Sequence, residues 1–257
     1  MIRLKTKDDI EKLREGGRML GEVLAELAGV VKVGTTGAEL DELATRLIRA
    51  RGCEPAFLNY ASSGQQPFPA ALCVSINDAV VHGIPTDAPF VGGDVVGLDL
   101  GLIYRGKYYL DSAQTVIVGG GSGKTKELVA VTEEALQRGI AAALPGNRIG
   151  DIGCAIQRYV ESAGFEVVRQ LVGHGVGYAV HEEPQVPNFG RAGAGALIEP
   201  GLVIAIEPMV TKGNPVVVTG EDGWSVKIKS GNLSAHAEHT VAVMEEGPVV
   251  LTSKRKT

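Results

Sequence analysis

Cysteine is scarce, with Cys53, Cys73 and Cys154 the only three in 257 residues. They are odd in number and widely spaced, which excludes a disulfide framework and fits a reducing compartment, so a cytoplasmic protein is expected. A chain of this length can bury a core without such staples. Aromatic residues make up 5%, with one tryptophan, so the core is expected to be built from Ala, Val, Leu and Ile. No run of about 18 apolar residues occurs, and the N-terminal MIRLKTKDDIEKLREGG lacks the apolar stretch of a secretory signal. Basic charge is not in excess: 30 acidic against 25 basic residues give a net charge of −5, which argues against a generic nucleic-acid binder. Histidine is the last scarcity, and His82, His174, His181, His236 and His239 all fall in distinctive surroundings.

At 44% hydrophobic and 21% charged, the composition is that of a folded domain, not a disordered chain. Helical spacing of Ile10, Leu13, Leu20, Leu24 and Leu27 after a Thr6/Asp9 capping box predicts a helix over about 7–30. A second helix is predicted after Thr36, with Glu39 in the capping position, Leu40, Leu43, Leu47 and Ile48 along one face, and Gly52 as its stop. Residues 71–83 read as strands around an Asn77-Asp78 turn, and 94–118 as a hairpin about Arg105-Gly106-Lys107. A further helix is predicted over 125–143. Beyond residue 164 the stretches FEVVRQLVG, LVIAIEPMV, WSVKIK, EHTVAVM and PVVL read as strands.

An offset of 112 residues aligns Gly34 with Gly146, Leu40 with Ile152, Ile48 with Val160 and Gly52 with Gly164. Either two amphipathic helices of one length coincide, or the chain holds two related halves, about 1–120 and 121–257, with a site between them. No Pro-, Ser- or charge-rich linker divides them, so a single α+β domain is expected.

Acidic residues stand where burial is predicted. Asp99 lies in VVGLDLGLI, Asp111 follows YYL, Glu207 lies in LVIAIEPMV and Glu238 in SAHAEHTVAV; His174 lies in LVGHGVG. Singly, each reads as a solvent-facing acid, an arginine-paired acid or a hydrogen-bonded histidine. Together they point to a metal site, because buried carboxylates are costly unless paired or coordinated. Four carboxylates and one imidazole suit Mn²⁺, Fe²⁺, Co²⁺ or Zn²⁺, and the four negative charges suit two such ions better than one. Asp99 and Asp111 can share a metal only if they face the same side of the hairpin. A two-residue turn would pair Asp111 with Leu100 and separate them; a three-residue turn pairs Asp111 with Gly101 and brings them together.

The ordered stretches SINDAVVHGIP (75–85), GLDLGLIYRGKYYLDSA (97–113), GHGVGYAVHEEP (173–184), AIEPM (205–209) and DGWSVKIKSGNLSAHAEHT (222–240) resemble the type I methionine aminopeptidases, in their short bacterial form. These have the pita-bread fold shared with aminopeptidase P and prolidase. The resemblance implies two pseudo-two-fold-related halves, with an antiparallel sheet covered by helices. It implies removal of the initiator methionine from nascent proteins when the second residue is small. It also implies that Asp99, Asp111, His174, Glu207 and Glu238 hold two divalent ions (Co, Mn, Fe or Zn), with Asp111 and Glu238 bridging. His82 would handle a proton near the scissile amide, His181 would stabilise the oxyanion, and Glu207 would relay a proton. Phe68, Cys73 and Trp224 would line the methionine pocket. Partners implied are nascent N-termini and the ribosome, with a monomeric enzyme and neither a membrane nor a specific nucleic acid.

The chain departs from the family pattern in four places. The Asp99–Asp111 spacing is one residue longer, Gly101 stands where Thr is common, Val180 precedes His181 where an aromatic residue is usual, and ASSGQQPFPA (61–70) is longer. An Xaa-Pro aminopeptidase or prolidase on the same scaffold is the alternative enzyme, disfavoured by the short region before residue 75. A pita-bread binding protein without catalysis is the non-enzyme alternative, disfavoured because all five expected ligands and both accessory histidines are present.

Overall fold

The computed structural model describes residues 1–61 and 66–253. Helix α1 (Lys7–Val30) begins at a complete capping box: the Asp9 N–H donates to Thr6 Oγ1 at 3.2 Å, and the Thr6 N–H donates to Asp9 Oδ2 at 3.1 Å. Helix α2 (Gly37–Ala50) begins the same way, with Thr36 and Glu39. Such caps contribute about 1 kcal/mol each. Gly52 stops α2 at a φ of +69°, a backbone conformation that glycine adopts without steric cost. The first half continues as β1 (Glu54–Pro55), β2 (Leu72–Ile76), β3 (Ala79–Val81), β4 (Val95–Tyr104) and β5 (Tyr108–Ile117).

The second half opens with α3 (Gly123–Ala142) and α4 (Ile149–Ser162). It runs on through β6 (Glu166–Val167), β7 (Val172–Gly175), β8 (Glu182–Pro187), β9 (Val203–Ile206) and β10 (Met209–Thr211). The last strands are β11 (Val217–Thr219), β12 (Val226–Ile228), β13 (Ser234–His236), β14 (Glu238–Met244) and β15 (Gly247–Val250). The bounds of α2 and α4 differ by 112 at both ends (149 − 37 and 162 − 50). Gly34 and Gly146, which precede those helices, have φ of +89° and +88°. The sequence echo therefore falls on matching helix starts and stops.

The central sheet is antiparallel, in the order β1-β4-β5-β14-β9-β7-β8, with β2 added to β4 and β15 to β14. Two three-stranded sheets, β13-β10-β6 and β11-β12-β3, flank it. Each helix pair covers its own apolar core. Leu13, Leu20, Leu27, Leu40 and Ile48 pack over Leu98, Leu100 and Leu102, whereas Leu136, Ile152 and Ile156 pack over Ile204, Ile206 and Val241. Among the described residues, no helix is long and apolar enough to cross a membrane. All three cysteines are free thiols.

Two predicted strands are broken. FEVVRQLVG divides into β6 and β7 with bends between them, and LVIAIEPMV divides into β9 and β10 around Glu207-Pro208. Pro208 has no N–H to continue the ladder, so the chain leaves the central sheet there and joins the small one. The chain makes the reverse passage at Ala237, between β13 and β14. Glu207 and Glu238 thus flank the line where two sheets part.

Candidate active site

Strand parity carries the acids to one face. The hairpin turns through three residues, Arg105-Gly106-Lys107, with Tyr104 opposite Tyr108 and an unbroken ladder that sets Asp111 opposite Gly101. Asp99 lies opposite Ala113, and Ala113 lies opposite Glu238, so Asp99 and Glu238 project from the same side of three adjacent strands. Asp111 shares that side, being two residues from Ala113. Thr240 and His174 both lie opposite Ala205, which brings His174 to the same face. The three-residue turn thus closes the hairpin between Asp99 and Asp111 without a bulge.

The resulting cluster is tight. His174 Nε2 lies 3.9 Å from Asp111 Oδ2 and 3.6 Å from Glu207 Oε1. One ligand atom from each of Asp111, His174 and Glu238 falls within 4.8 Å of the other two. The backbone is held around them. Thr240 Oγ1 accepts from the Asp111 N–H and donates to the Asp111 carbonyl, Ser112 Oγ donates to the Glu238 carbonyl, and Asn188 Nδ2 donates to the Glu207 carbonyl. The His174 Nδ1–H donates to the Gly175 carbonyl at 2.9 Å, which leaves Nε2 as the acceptor facing the acids.

Buried like charges define the electrostatics. Burial pushes Asp99 up to about 6, and burial together with the neighbouring carboxylates pushes Asp111 and Glu238 well above the usual carboxylate range. Burial acts on Glu207 too, but the neighbouring His236 outweighs it and holds Glu207 below its ordinary value. Among the described residues, Asp99 Oδ1, Asp111 Oδ1 and Glu238 Oε1 are buried without a hydrogen-bond partner. Orphaned carboxylate oxygens converging from one face are the donor set of a hard divalent cation, so these residues fit the metal expected from the sequence.

A cavity of about 410 Å³ opens over the cluster. All ten residues singled out from the sequence line it: Asp99, Asp111, His174, Glu207, Glu238, His82, His181, Phe68, Cys73 and Trp224. Phe68 meets Trp224 edge-on with centroids 5.2 Å apart, and Cys73 packs in the same apolar cluster with Val180. His82 has a φ of +58°, a left-handed backbone that costs a non-glycine residue about 1–2 kcal/mol. That turn sets its ring edge-on to Trp224 at 6.3 Å. Burial lowers His82 and lowers His181 to about 4, so both are neutral near pH 7.

Three neighbours had no role assigned from the sequence. Tyr60 Oη lies 2.7 Å from His181 Nδ1. Phe57 fills the space beside Gly101, where a β-carbon would come within 2.6 Å of its ring; the glycine is thus matched to Phe57. His236, not assigned as a ligand, has Nε2 3.5 Å from Glu207 Oε2 and 4.0 Å from Glu238 Oε2. The i, i+2 spacing of His236 and Glu238 was the available signal. His239 faces the opposite side, toward Thr252 Oγ1 at 2.9 Å. In segment 61–70, residues 62–65 lie outside the described residues.

Residues 11–245 match the model of metallopeptidase family M24. The chain is 45% identical over 252 residues to a methionine aminopeptidase of Clostridium perfringens, covering 98% of this chain and 99% of that one. The structure of a methionine aminopeptidase from Thermotoga maritima superposes with a TM-score of 0.93 at 42% identity, covering 99% of this chain and 100% of that one. A prolidase from Pyrococcus furiosus superposes with a TM-score of 0.78 at 23% identity, covering 98% of this chain and 66% of that one, a likeness of fold alone.

Proposed function

The chain belongs to metallopeptidase family M24 with a pita-bread α+β fold, and on that premise we propose that it removes the initiator methionine from nascent proteins whose second residue is small. It is a metal-dependent aminopeptidase. The observation that carries this reading is the convergence of five buried carboxylate and imidazole ligands with an apolar, sulfur- and indole-lined pocket in one cavity. An unbranched thioether suits such walls.

Asp99, Asp111, His174, Glu207 and Glu238 would hold two divalent ions; cobalt, manganese, iron and zinc all suit the donor set. When bound, the ions supply Lewis acidity and make water nucleophilic near neutral pH. Glu207, held below its ordinary value by His236 Nε2 3.5 Å from its Oε2, takes the proton of the attacking water. Neutral His82 handles a proton beside the scissile amide. The neutral His181 ring donates a hydrogen bond to the developing oxyanion, an interaction worth about 3–4 kcal/mol. Phe68, Cys73 and Trp224 receive the methionine side chain. The two halves, 1–120 and 121–257, form one catalytic domain around this site. The enzyme acts as a monomer in the cytoplasm on chains emerging from the ribosome.

Metal-loaded protein is expected to cleave Met-Ala-Ser and to leave Ala-Pro peptides intact. Cleavage of Ala-Pro alone would move the assignment to the Xaa-Pro enzymes, and cleavage of neither would leave a binding protein. Glu207→Ala is expected to abolish turnover; normal turnover in that variant would overturn the ligand assignment.

A further inference from the structure

A neutral imidazole carries one proton, and the hydrogen bond made by one ring nitrogen decides whether the other is a donor or an acceptor. The phenol of Tyr60 stands 2.7 Å from Nδ1 of His181, with the rings 5.4 Å apart and tilted by 56°. The backbone holds Tyr60 in place, because its N–H donates to the Phe57 carbonyl at 2.9 Å and its carbonyl accepts from the Phe68 N–H at 2.8 Å. The His181 ring also meets His174 at 4.4 Å and 63°, so the imidazole packs against both the phenol and a histidine of the acid cluster. A phenol at that distance can either donate to Nδ1 or accept from it. Only donation leaves the proton on Nε2, the nitrogen on the far side of the ring.

Resting on the reading that His181 is the oxyanion donor, we propose that Tyr60 is a positioning residue: its O–H donates to Nδ1 of His181 and locks that ring in the Nε2–H tautomer. The apolar wall that receives methionine thus also holds the group that prepares the catalytic donor. Substrate seated against Tyr60 shields this hydrogen bond from water, which ties the donor's readiness to occupation of the pocket.

The test uses full-length, zinc-loaded protein labelled with ¹⁵N-histidine, zinc being diamagnetic. Two-bond ¹⁵N–¹H spectra are expected to show His181 protonated on Nε2 in the wild type and displaced toward the Nδ1–H form in Tyr60→Phe. On Met-Ala-Ser, Tyr60→Phe is expected to lower kcat roughly tenfold to a hundredfold, with KM within about twofold. An unchanged His181 tautomer in Tyr60→Phe overturns the proposal. So does an unchanged kcat, whatever KM does, because it assigns Tyr60 to packing alone. A wild type that fails to cleave Met-Ala-Ser overturns the aminopeptidase reading instead, while the spectra still test the hydrogen bond.

Discussion

Lys5 Nζ lies 2.8 Å from Glu182 Oε2, with 1% and 5% of the two side chains exposed. The ammonium also donates to the Arg3 carbonyl, while Glu182 Oε1 accepts the N–H groups of Tyr178 and Ala179. The N-terminal segment is thereby tied to the loop that carries His181. Removing one partner of a buried pair strands the other charge, so Lys5→Met is expected to cost about 3–5 kcal/mol, read as a lower urea midpoint. Combining Lys5→Met with Glu182→Gln is expected to recover part of that loss. A single variant as stable as the wild type would show that the pair contributes nothing.

Asp9 gives stability a sign with pH. Although burial opposes its charge, its carboxylate accepts from Thr6 Oγ1 at 2.6 Å, Tyr178 Oη at 2.7 Å, Tyr108 Oη at 2.9 Å and the Thr6 N–H at 3.1 Å. These bonds hold it well below its ordinary value of 3.8. A pKa depressed by folding contributes stability that is present above the unfolded value and lost as pH falls below it. Wild-type stability is therefore expected to fall below about pH 4 more steeply than that of Asp9→Asn. At pH 7 that variant is expected to be about 1–3 kcal/mol less stable. Parallel acid slopes in the two proteins would refute this account.

Metal is expected to stabilise the folded chain by neutralising the buried carboxylates. Chelation should lower the wild-type melting temperature by several degrees, since saturation at a hundred times Kd is worth about 2.7 kcal/mol. Asp111→Asn removes one repelling charge, so its metal-free form is expected to melt no lower than the metal-free wild type and to respond less to added ion. Differential scanning calorimetry with elemental analysis checks both. An equal response in the two proteins would remove Asp111 from the site.

Gly101 and Phe57 form a matched pair. Gly101→Thr is expected to cost about 1–3 kcal/mol by overpacking against the Phe57 ring. Phe57→Ala in the same chain should return much of it, so the two changes are expected to be non-additive in a double-mutant cycle. Simple additivity of the urea midpoints would show that the two positions do not meet.

Trp224 reports on the pocket from within, being the only tryptophan. Free methionine is expected to change its fluorescence, and Phe68→Ala, which removes the ring 5.2 Å away, to weaken that response and raise KM. An unchanged spectrum under saturating methionine would place the side chain elsewhere.

The helices and the hairpin were legible because their causes are local. Capping pairs three residues apart, apolar spacing along one helix face and the parity of a three-residue turn are each written within about ten residues. The acid set was legible because charge inside apolar strands needs an explanation wherever it occurs. The breaks at Glu207-Pro208 and Ala237 were less so, since each depends on which sheet accepts the chain next. The sequence by itself thus determined the capped helices, the hairpin, the set of buried acids and the reaction class. Tertiary structure alone decided that Tyr60 meets His181 across 121 positions, that Lys5 meets Glu182 across 177, and that Phe57 fills the space beside Gly101. Such contacts arise from packing between distant segments, and no local period records them.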